Sequence, residues 1–292
     1  MHAHERRKAS TIWMFGWFHL LARKAGTVFD YLRMGFSLGK DLRSKILLCT
    51  FLPYYKLITK SYSVYTIYLN NYSVPIRLRA GDISEIHEIL WREDYRFKEM
   101  EGADFPVVLD LGAHIGLFTL WIKHWFPTST VHCYEPDPYS YSLLQNNTKF
   151  LNNVFLHPEG VGSSSGEATF FIDRRRHALS SFRESPDKEP ISCSIKALDD
   201  VIGALGSVDL IKFDIEGLEY QVFSNSSTVQ YVNHLVGEVH GHAVDVNQFL
   251  SLFPNHCKHI KSYSNEMNIV YLHRVAKGTC GSSCSPLPSP GP

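Results

Sequence analysis

Two acids, Asp214 and Glu216, end an apolar run in IKFDIEGLEY (residues 211–220), and Gly217 follows them at once. A second group lies in GEVHGH, where Glu238, His240 and His242 alternate. Imidazoles and carboxylates are the groups that take a proton from a hydroxyl near neutral pH, so general-base chemistry is the first expectation. His240 is expected to be the base, with Asp214, Glu216 and Glu238 around it. If the strand period of two continues past Asp214, both acids of the first pair project from one side and Ile215 from the other. Helix capping is the competing role for Asp214 and Glu216, because an acid ahead of GLEYQVF can accept from free N–H groups without doing chemistry. Asp214, Glu238, His240 and His242 also have the donor types for a divalent cation, although no metal is assigned to them.

A third group sits in VVLDLGAHIGLFTL, where a buried run ends in Asp110 and Gly112 and Gly116 bracket a turn into a helix. Glycines there let a ligand approach the backbone, and a helix start offers unpaired N–H groups. Glu135, in TVHCYEPD, follows Asp110 by 25 residues and stands at the next strand end. A carboxylate in that place accepts both hydroxyls of a ribose. Nicotinamide dinucleotides and S-adenosylmethionine both satisfy this arrangement. The spacing is G-x-x-x-G and not the G-x-G-x-x-G that cradles a pyrophosphate, which favours S-adenosylmethionine, whose ammonium suits a nearby acid. His114 falls mid-turn, where a positive φ is expected, and histidine tolerates one. It is therefore read as permitting the backbone path and not as catalytic.

The elements that must position these residues alternate along the chain. Short β-rich runs precede helical ones in FPVVLDLG and IGLFTLWIKHWF, in STVHCYEPD and PYSYSLLQNNTKFL, in VDLIKFD and EGLEYQVFSN, and in VNHLVGEVH and AVDVNQFLSLF. Such alternation predicts an α/β fold with a mainly parallel sheet between helical layers. KHIKSYSNEMNIVYLHR predicts two antiparallel strands at one edge, and VYTIYL and SVPIRLR a hairpin that leads into the helical DISEIHEILWRE. Residues 1–60 read as a basic, aromatic-rich helical segment, 61–277 as the catalytic domain, and the Gly/Ser/Pro-rich 278–292 as a disordered tail.

The formal charge of the 292 residues is zero, but residues 1–60 hold eleven Lys/Arg against three Asp/Glu. That +8 suits a phospholipid or nucleic-acid surface, or packing against the acidic remainder of the chain. The apolar run of residues 11–22 is too short to span a bilayer, and Arg23 and Lys24 stand where a signal cleavage site would fall. A cytoplasmic chain, membrane-associated through residues 1–60, is the expectation. Six cysteines are too sparse for a disulfide scaffold, so reduced thiols are expected. Arg174, Arg175, Arg176 and His177 read as a solvated loop between two strands.

VVLDLGAHIGLFTL, YEPDP, EGVGSSSGEATFF and DLIKFDIEGLEYQVF together resemble the FkbM family of S-adenosylmethionine-dependent methyltransferases. The first motif occurs in many methyltransferases, whereas D-x-E-G-x-E at Asp214 is much more particular to this family. The likeness runs from about Val74 to Leu272 and takes in the Tyr95 region. It implies a Rossmann-like class I methyltransferase fold of seven strands with the last antiparallel. By position, the resemblance places Asp110, Gly112, Ala113, His114 and Gly116 at the methionine part of the cofactor, Glu135 and Pro136 at the ribose, and Gly160 and Val161 near the adenine. It adds Tyr95 to the cofactor set, and Ser180 and Ser181 to an acceptor pocket.

The expected function is O-methylation of a hydroxyl on a sugar, glycolipid or other small metabolite by in-line transfer with a general base. A nucleic-acid methyltransferase that grips phosphates through residues 1–60 and a non-catalytic cofactor-binding module are the alternatives. Three acids at strand ends weigh against the module, since a bare scaffold has no need of them.

Overall fold

The computed structural model describes residues 26–53, 63–173, 177–264 and 267–274. Its central sheet has seven strands: β3 (Val107–Leu111), β4 (Thr130–Tyr134), β5 (Val154–His157), β9 (Leu210–Phe213), β10 (His234–His240), β11 (His256–Ser264) and β12 (Met267–Arg274). They lie in the order β11-β12-β10-β9-β3-β4-β5. All pairings from β5 to β10 are parallel, and β12 runs antiparallel to both β10 and β11. This is the class I methyltransferase fold, and the expected α/β sheet with an antiparallel last strand is what forms. The order reverses at β3, whose neighbours β4 and β9 lead away on opposite sides, and the crevice at such a reversal is where open α/β sheets bind ligands.

Strand alternation sends Val108 to one face and Leu109 and Leu111 to the other, where separate apolar clusters cover them. The helices supply the covers. α2 (Leu117–Trp125) buries its first seven residues, starting after Gly116 at φ +88°. α3 (Pro138–Thr148) begins where Asp137 accepts from the Tyr139 N–H and Pro138 takes the first position, where its missing N–H costs nothing. α4 (Leu198–Leu205) follows the strand of residues 189–197, and α5 (Glu219–Ser224) and α6 (Val246–Ser251) follow β9 and β10.

Two smaller sheets flank this core. β1 (Val64–Tyr68) and β2 (Pro75–Arg79) form the expected hairpin. β6 (Gly160–Gly162), β7 (Gly166–Ile172) and β8 (Glu189–Ala197) form a three-stranded sheet in the order β6-β8-β7. Residues 26–38 are helical and fold back through α1 (Leu42–Ile46) and the π-helical turn Leu47–Phe51. Met34, Leu38, Leu48 and Leu52 enter the same core cluster as Ile67, Leu69, Ile76 and Leu78. The tail after 274 and residues 1–25, with their apolar run, lie outside the described residues, as do Arg174 to Arg176.

One expectation on the cysteines is corrected. Cys49, Cys133 and Cys193 are free, but the buried Cys257 is disulfide-bonded.

β10 and β12 partly bury a histidine, His234, whose titration bears on stability. His234 Nδ1 lies 2.7 Å from the Tyr271 hydroxyl, and Phe105 meets the ring edge-on. Burial, then His273 and, more weakly, His256, depress His234 to about 4, while Asp209 opposes them. Its stabilising effect is complete above the ordinary histidine value near 6.5, and is lost as pH falls towards 4 because the unfolded chain then binds the proton more readily. A gap of that size is worth at most about 3 kcal/mol. Urea midpoints at pH 7 and pH 4.5 are expected to differ less in His234→Phe than in the wild type. An unchanged pH dependence would remove His234 from this role.

Candidate active site

The carboxyl ends of β3, β4 and β9 surround a cleft of about 790 Å³, solvent mouth included. Gly112, Ala113 and His114 form one wall, Glu135 and Pro136 the next, and Gly160 and Val161 the far end. Asp214, Ile215 and Glu216 close the opposite side. Phe118, Phe170 and Phe182 supply apolar surface. Most of the residues expected around a cofactor are thus brought to one cavity, from segments about 100 residues apart.

Gly112 has φ +73°, and a Cβ there would come within 1.9 Å of the Asp214 carbonyl oxygen. Its need is backbone passage: the end of β9 crosses directly over the turn. Gly112→Ala is expected to lose about 2–5 kcal/mol of stability, from left-handed strain and overpacking together, read as a shift in the urea midpoint. A midpoint unchanged from wild type would mean that the strand end moves freely. His114 has the positive φ, +50°, expected of it. Its ring is wedged between Arg79 Nη2 at 2.9 Å and Glu85 Oε2 at 3.0 Å, a contact not foreseen.

Glu135 is buried, with one carboxylate oxygen accepting from the His114 N–H at 2.7 Å and the other from the Asp137 N–H at 2.8 Å. Burial and the adjacent Asp137 push it up to about 7. Each oxygen keeps a lone pair, and the carboxylate faces the cleft, so a ribose diol has its acceptor.

Three of the expected cofactor residues do not line the cleft. Asp110 is fully buried beneath the turn, accepting from Thr119 Oγ1 at 2.7 Å and pairing with Lys212 Nζ at 3.3 Å. Asp110 faces Lys212 across the β3–β9 pairing, so it is committed to a cross-strand ion pair. Gly116 packs against Leu144 and Thr148. Tyr95 is buried and donates its hydroxyl to Glu238 Oε1 at 3.0 Å.

β9 ends at Phe213, so the strand period does not carry both acids to one side. Glu216 takes φ +54°, and Asp214, Ile215 and Glu216 all reach the cleft. A left-handed glutamate is an uncommon, strained conformation of the kind found at functional sites. Capping does not explain either acid: the residue before α5 is Leu218, with no side-chain cap, and it is Glu219 Oε1 that accepts from the Gly217 N–H. Asp214 Oδ1 is buried and has no hydrogen-bond partner.

His240 and Glu238 stand behind these acids and do not line the cleft. His240 Nδ1 lies 2.9 Å from Glu219 Oε1, which aims Nε2 towards Glu216 Oε2 at 3.7 Å and Glu238 Oε2 at 4.0 Å. Burial opposes the charge on His240, but Glu219, Asp214 and Glu216 prevail and raise it to about 10. An imidazolium has no lone pair to receive a proton, and this together with its place outside the cleft weighs against the expected role of His240 as the base. Burial and Asp214 push Glu216 up to about 8, and push Glu238 well above the usual carboxylate range. His242 lies on the exposed turn after β10.

Two groups have metal-donor spacing among the described residues. Asp214, Glu238 and His240 offer donor atoms within 4.8 Å of one another, as do Asp82, Glu85 and His114. Arg79, paired with Asp82 at 3.0 Å, already supplies a cation to the second group.

Sequence reasoning missed Lys212, Glu85 and His177. Lys212 is buried in β9 and donates to the Gly112 carbonyl at 2.7 Å, fixing the turn. Burial pulls its pKa down, but Asp110 and Asp214 more than offset this and raise it. A lysine inside an apolar strand was the visible signal. His177 is not solvated: it is buried, lines the cleft, and lies 2.6 Å from Asp137 Oδ2. Ser180 also lines the cleft, whereas the buried Ser181 bridges to β7 through Phe171.

Comparison with known proteins adds the relationship. Residues 110–267 match the family model described as the methyltransferase FkbM domain. The chain belongs to this FkbM family. The match takes in the strand ends with Asp110, Glu135, Asp214, Glu216, Glu238 and His240, and leaves out Asp82 and Glu85. Among curated relatives, Methyltransferase 1 of Beauveria bassiana is 27% identical over 162 residues, 46% of this chain and 65% of that protein. The 31-O-demethyl-FK506 methyltransferase FkbM of Streptomyces tacrolimicus is 25% identical over 235 residues, 66% of this chain and 88% of that one. The 2-O-methyltransferase NoeI of Sinorhizobium fredii is 26% identical over 137 residues, 41% of this chain and 56% of its own length. The chain thus spans less than two thirds of the first and third of these FkbM relatives.

The residues present fit S-adenosylmethionine. Glu135 suits the ribose, Val161, Phe170 and Phe182 suit an adenine, and the unpartnered Asp214 Oδ1 suits the ammonium.

Proposed function

We propose that this FkbM-family chain is an S-adenosylmethionine-dependent O-methyltransferase acting on a hydroxyl of a sugar-containing or other small metabolite. The observation that carries the reading is the pairing, on one cleft, of a ribose-accepting acid, Glu135, with Asp214 and Glu216 on the facing wall. The names of the Streptomyces and Sinorhizobium relatives, both O-methyltransferases, support oxygen as the acceptor atom.

S-adenosylmethionine supplies an electrophilic methyl group on a sulfonium. What remains for the chain is to hold the acceptor in line and to take its proton. Glu216 is the group assigned to the proton, since it reaches the cleft while His240 Nε2 stands behind it at 3.7 Å. Burial and Asp214 hold it at about 8, so only its ionised fraction takes the proton and turnover should rise with pH towards 8, where that carboxylate is a stronger base than an exposed one. Glu219 orients His240, and His240 holds Glu216 in place. Asp214 accepts from the donor groups of the bound cofactor.

The test is transfer of label from methyl-labelled S-adenosylmethionine to a metabolite extract, with chemical identification of the product. A labelled methyl ether on a hydroxylated small molecule is the expected result. Label confined to RNA, or no label from a chain that binds S-adenosylhomocysteine, would overturn it. In calorimetry, Glu135→Ala is expected to weaken S-adenosylhomocysteine by about 10- to 100-fold, the loss of one or two charge-assisted hydrogen bonds. An affinity unchanged by the substitution would move the ribose elsewhere.

A further inference from the structure

The helical hairpin made by residues 26–38 and α1 has one face in the core and one face with no use in the cleft. Outward, Phe29 is 63% and Phe36 66% exposed, seven residues apart and so on one stripe of the helix. Arg33 falls between them on that stripe and is exposed. On α1, Leu42 is 75% and Ile46 53% exposed, four residues apart, with Arg43 exposed beside them. Lys40 is exposed at the turn that joins the two helices.

This face is rigidly supported. Gly35 abuts Cys49, whose Sγ donates to the Leu32 carbonyl at 3.5 Å, and a Cβ at Gly35 would fall 2.3 Å from that sulfur. The acids of the stretch are engaged locally: Asp30 holds His87 at 2.6 Å, and Asp41 caps α1 by accepting from the Ser44 N–H. What faces outward is therefore alternately apolar and cationic, within a region carrying eleven Lys/Arg against three Asp/Glu.

That chemistry selects among occupants. Nucleic acid would use the cations but leave two phenylalanines, a leucine and an isoleucine in water. A second copy of the chain, docked through the same face, would set Arg33, Lys40 and Arg43 against themselves. An anionic bilayer surface takes both halves: apolar side chains enter the headgroup–acyl boundary while the cations meet lipid phosphates and carboxylates. No helix among the described residues is long and apolar enough to cross a membrane, so contact through this hairpin lies in the interface plane.

We propose that the hairpin of residues 26–46 docks the protein on anionic lipid bilayers, with Phe29, Phe36, Leu42 and Ile46 inserted and Arg33, Lys40 and Arg43 on the headgroups. The test is sedimentation of the full chain with phosphatidylcholine vesicles, alone or containing about 30% phosphatidylserine. Partitioning is expected to be at least about tenfold stronger on the mixed vesicles, and to fall about tenfold or more in a Phe29→Ser, Phe36→Ser, Leu42→Ser, Ile46→Ser variant. An Arg33→Gln, Lys40→Gln, Arg43→Gln variant is expected to lose most of the preference for phosphatidylserine. Retained S-adenosylhomocysteine affinity shows that both variants are folded. Three outcomes would overturn the proposal: no partitioning of the wild type, equal partitioning of wild type and serine variant, or a concentration-dependent dimer that the serine variant abolishes.

Discussion

Glu216→Gln is expected to lower turnover by about 10²- to 10⁴-fold, the range that a positioned general base contributes, while S-adenosylhomocysteine affinity stays within about threefold of wild type. Glutamine keeps the size of the side chain and its backbone demand at φ +54°, so the change isolates the loss of a proton acceptor. The loss should fall on kcat and kcat/KM alike, because the interaction matters only as the hydroxyl gives up its proton. His240→Ala is expected to do less. It removes the group that Glu219 aims at Glu216 from 3.7 Å, and so loosens the base without deleting it. A His240→Ala loss larger than that of Glu216→Gln would return the proton to the histidine and sink the present assignment.

The difference between those two residues shows where sequence reasoning stops. Asp214, Glu216, Glu238 and His240 were all legible as chemistry-bearing groups, since acids and imidazoles at the ends of apolar runs are costly without a use. Their ranking was not, because it depends on a single left-handed residue that turns Glu216 into the cleft and leaves His240 behind it. Gly112, His114 and Glu135 line the cleft, and their place there was legible for a related reason. Each answers a local requirement, a turn or a strand end, that a few neighbouring residues reveal. That Asp110 and Tyr95 lie outside the cleft was not legible, because their partners, Lys212 and Glu238, are over 100 residues away in sequence. No local pattern announces which strand will lie beside which.

The sheet order was recoverable in class but not in register, and register decides the second large effect. Asp110 and Lys212 stand directly opposite across parallel β3 and β9, each with under 5% of its side chain exposed. Lys212→Met is expected to destabilise the fold by about 3–5 kcal/mol, measured as a urea midpoint shift, because it strands a carboxylate in a site with no water to solvate it. Asp110 Oδ1 already lacks a hydrogen-bond partner and depends on the lysine charge alone. The same substitution frees the Gly112 carbonyl, which Lys212 holds at 2.7 Å, so cofactor affinity should fall along with stability. The double variant Asp110→Asn, Lys212→Met separates the two consequences. Neutralising both partners should recover most of the stability, as buried pairs replaced together often do. Affinity should stay low, since the Gly112 carbonyl has then lost the Lys212 donor that fixes it. A single Lys212→Met variant within about 1 kcal/mol of wild type would mean that the lysine charge is not what keeps Asp110 in the fold.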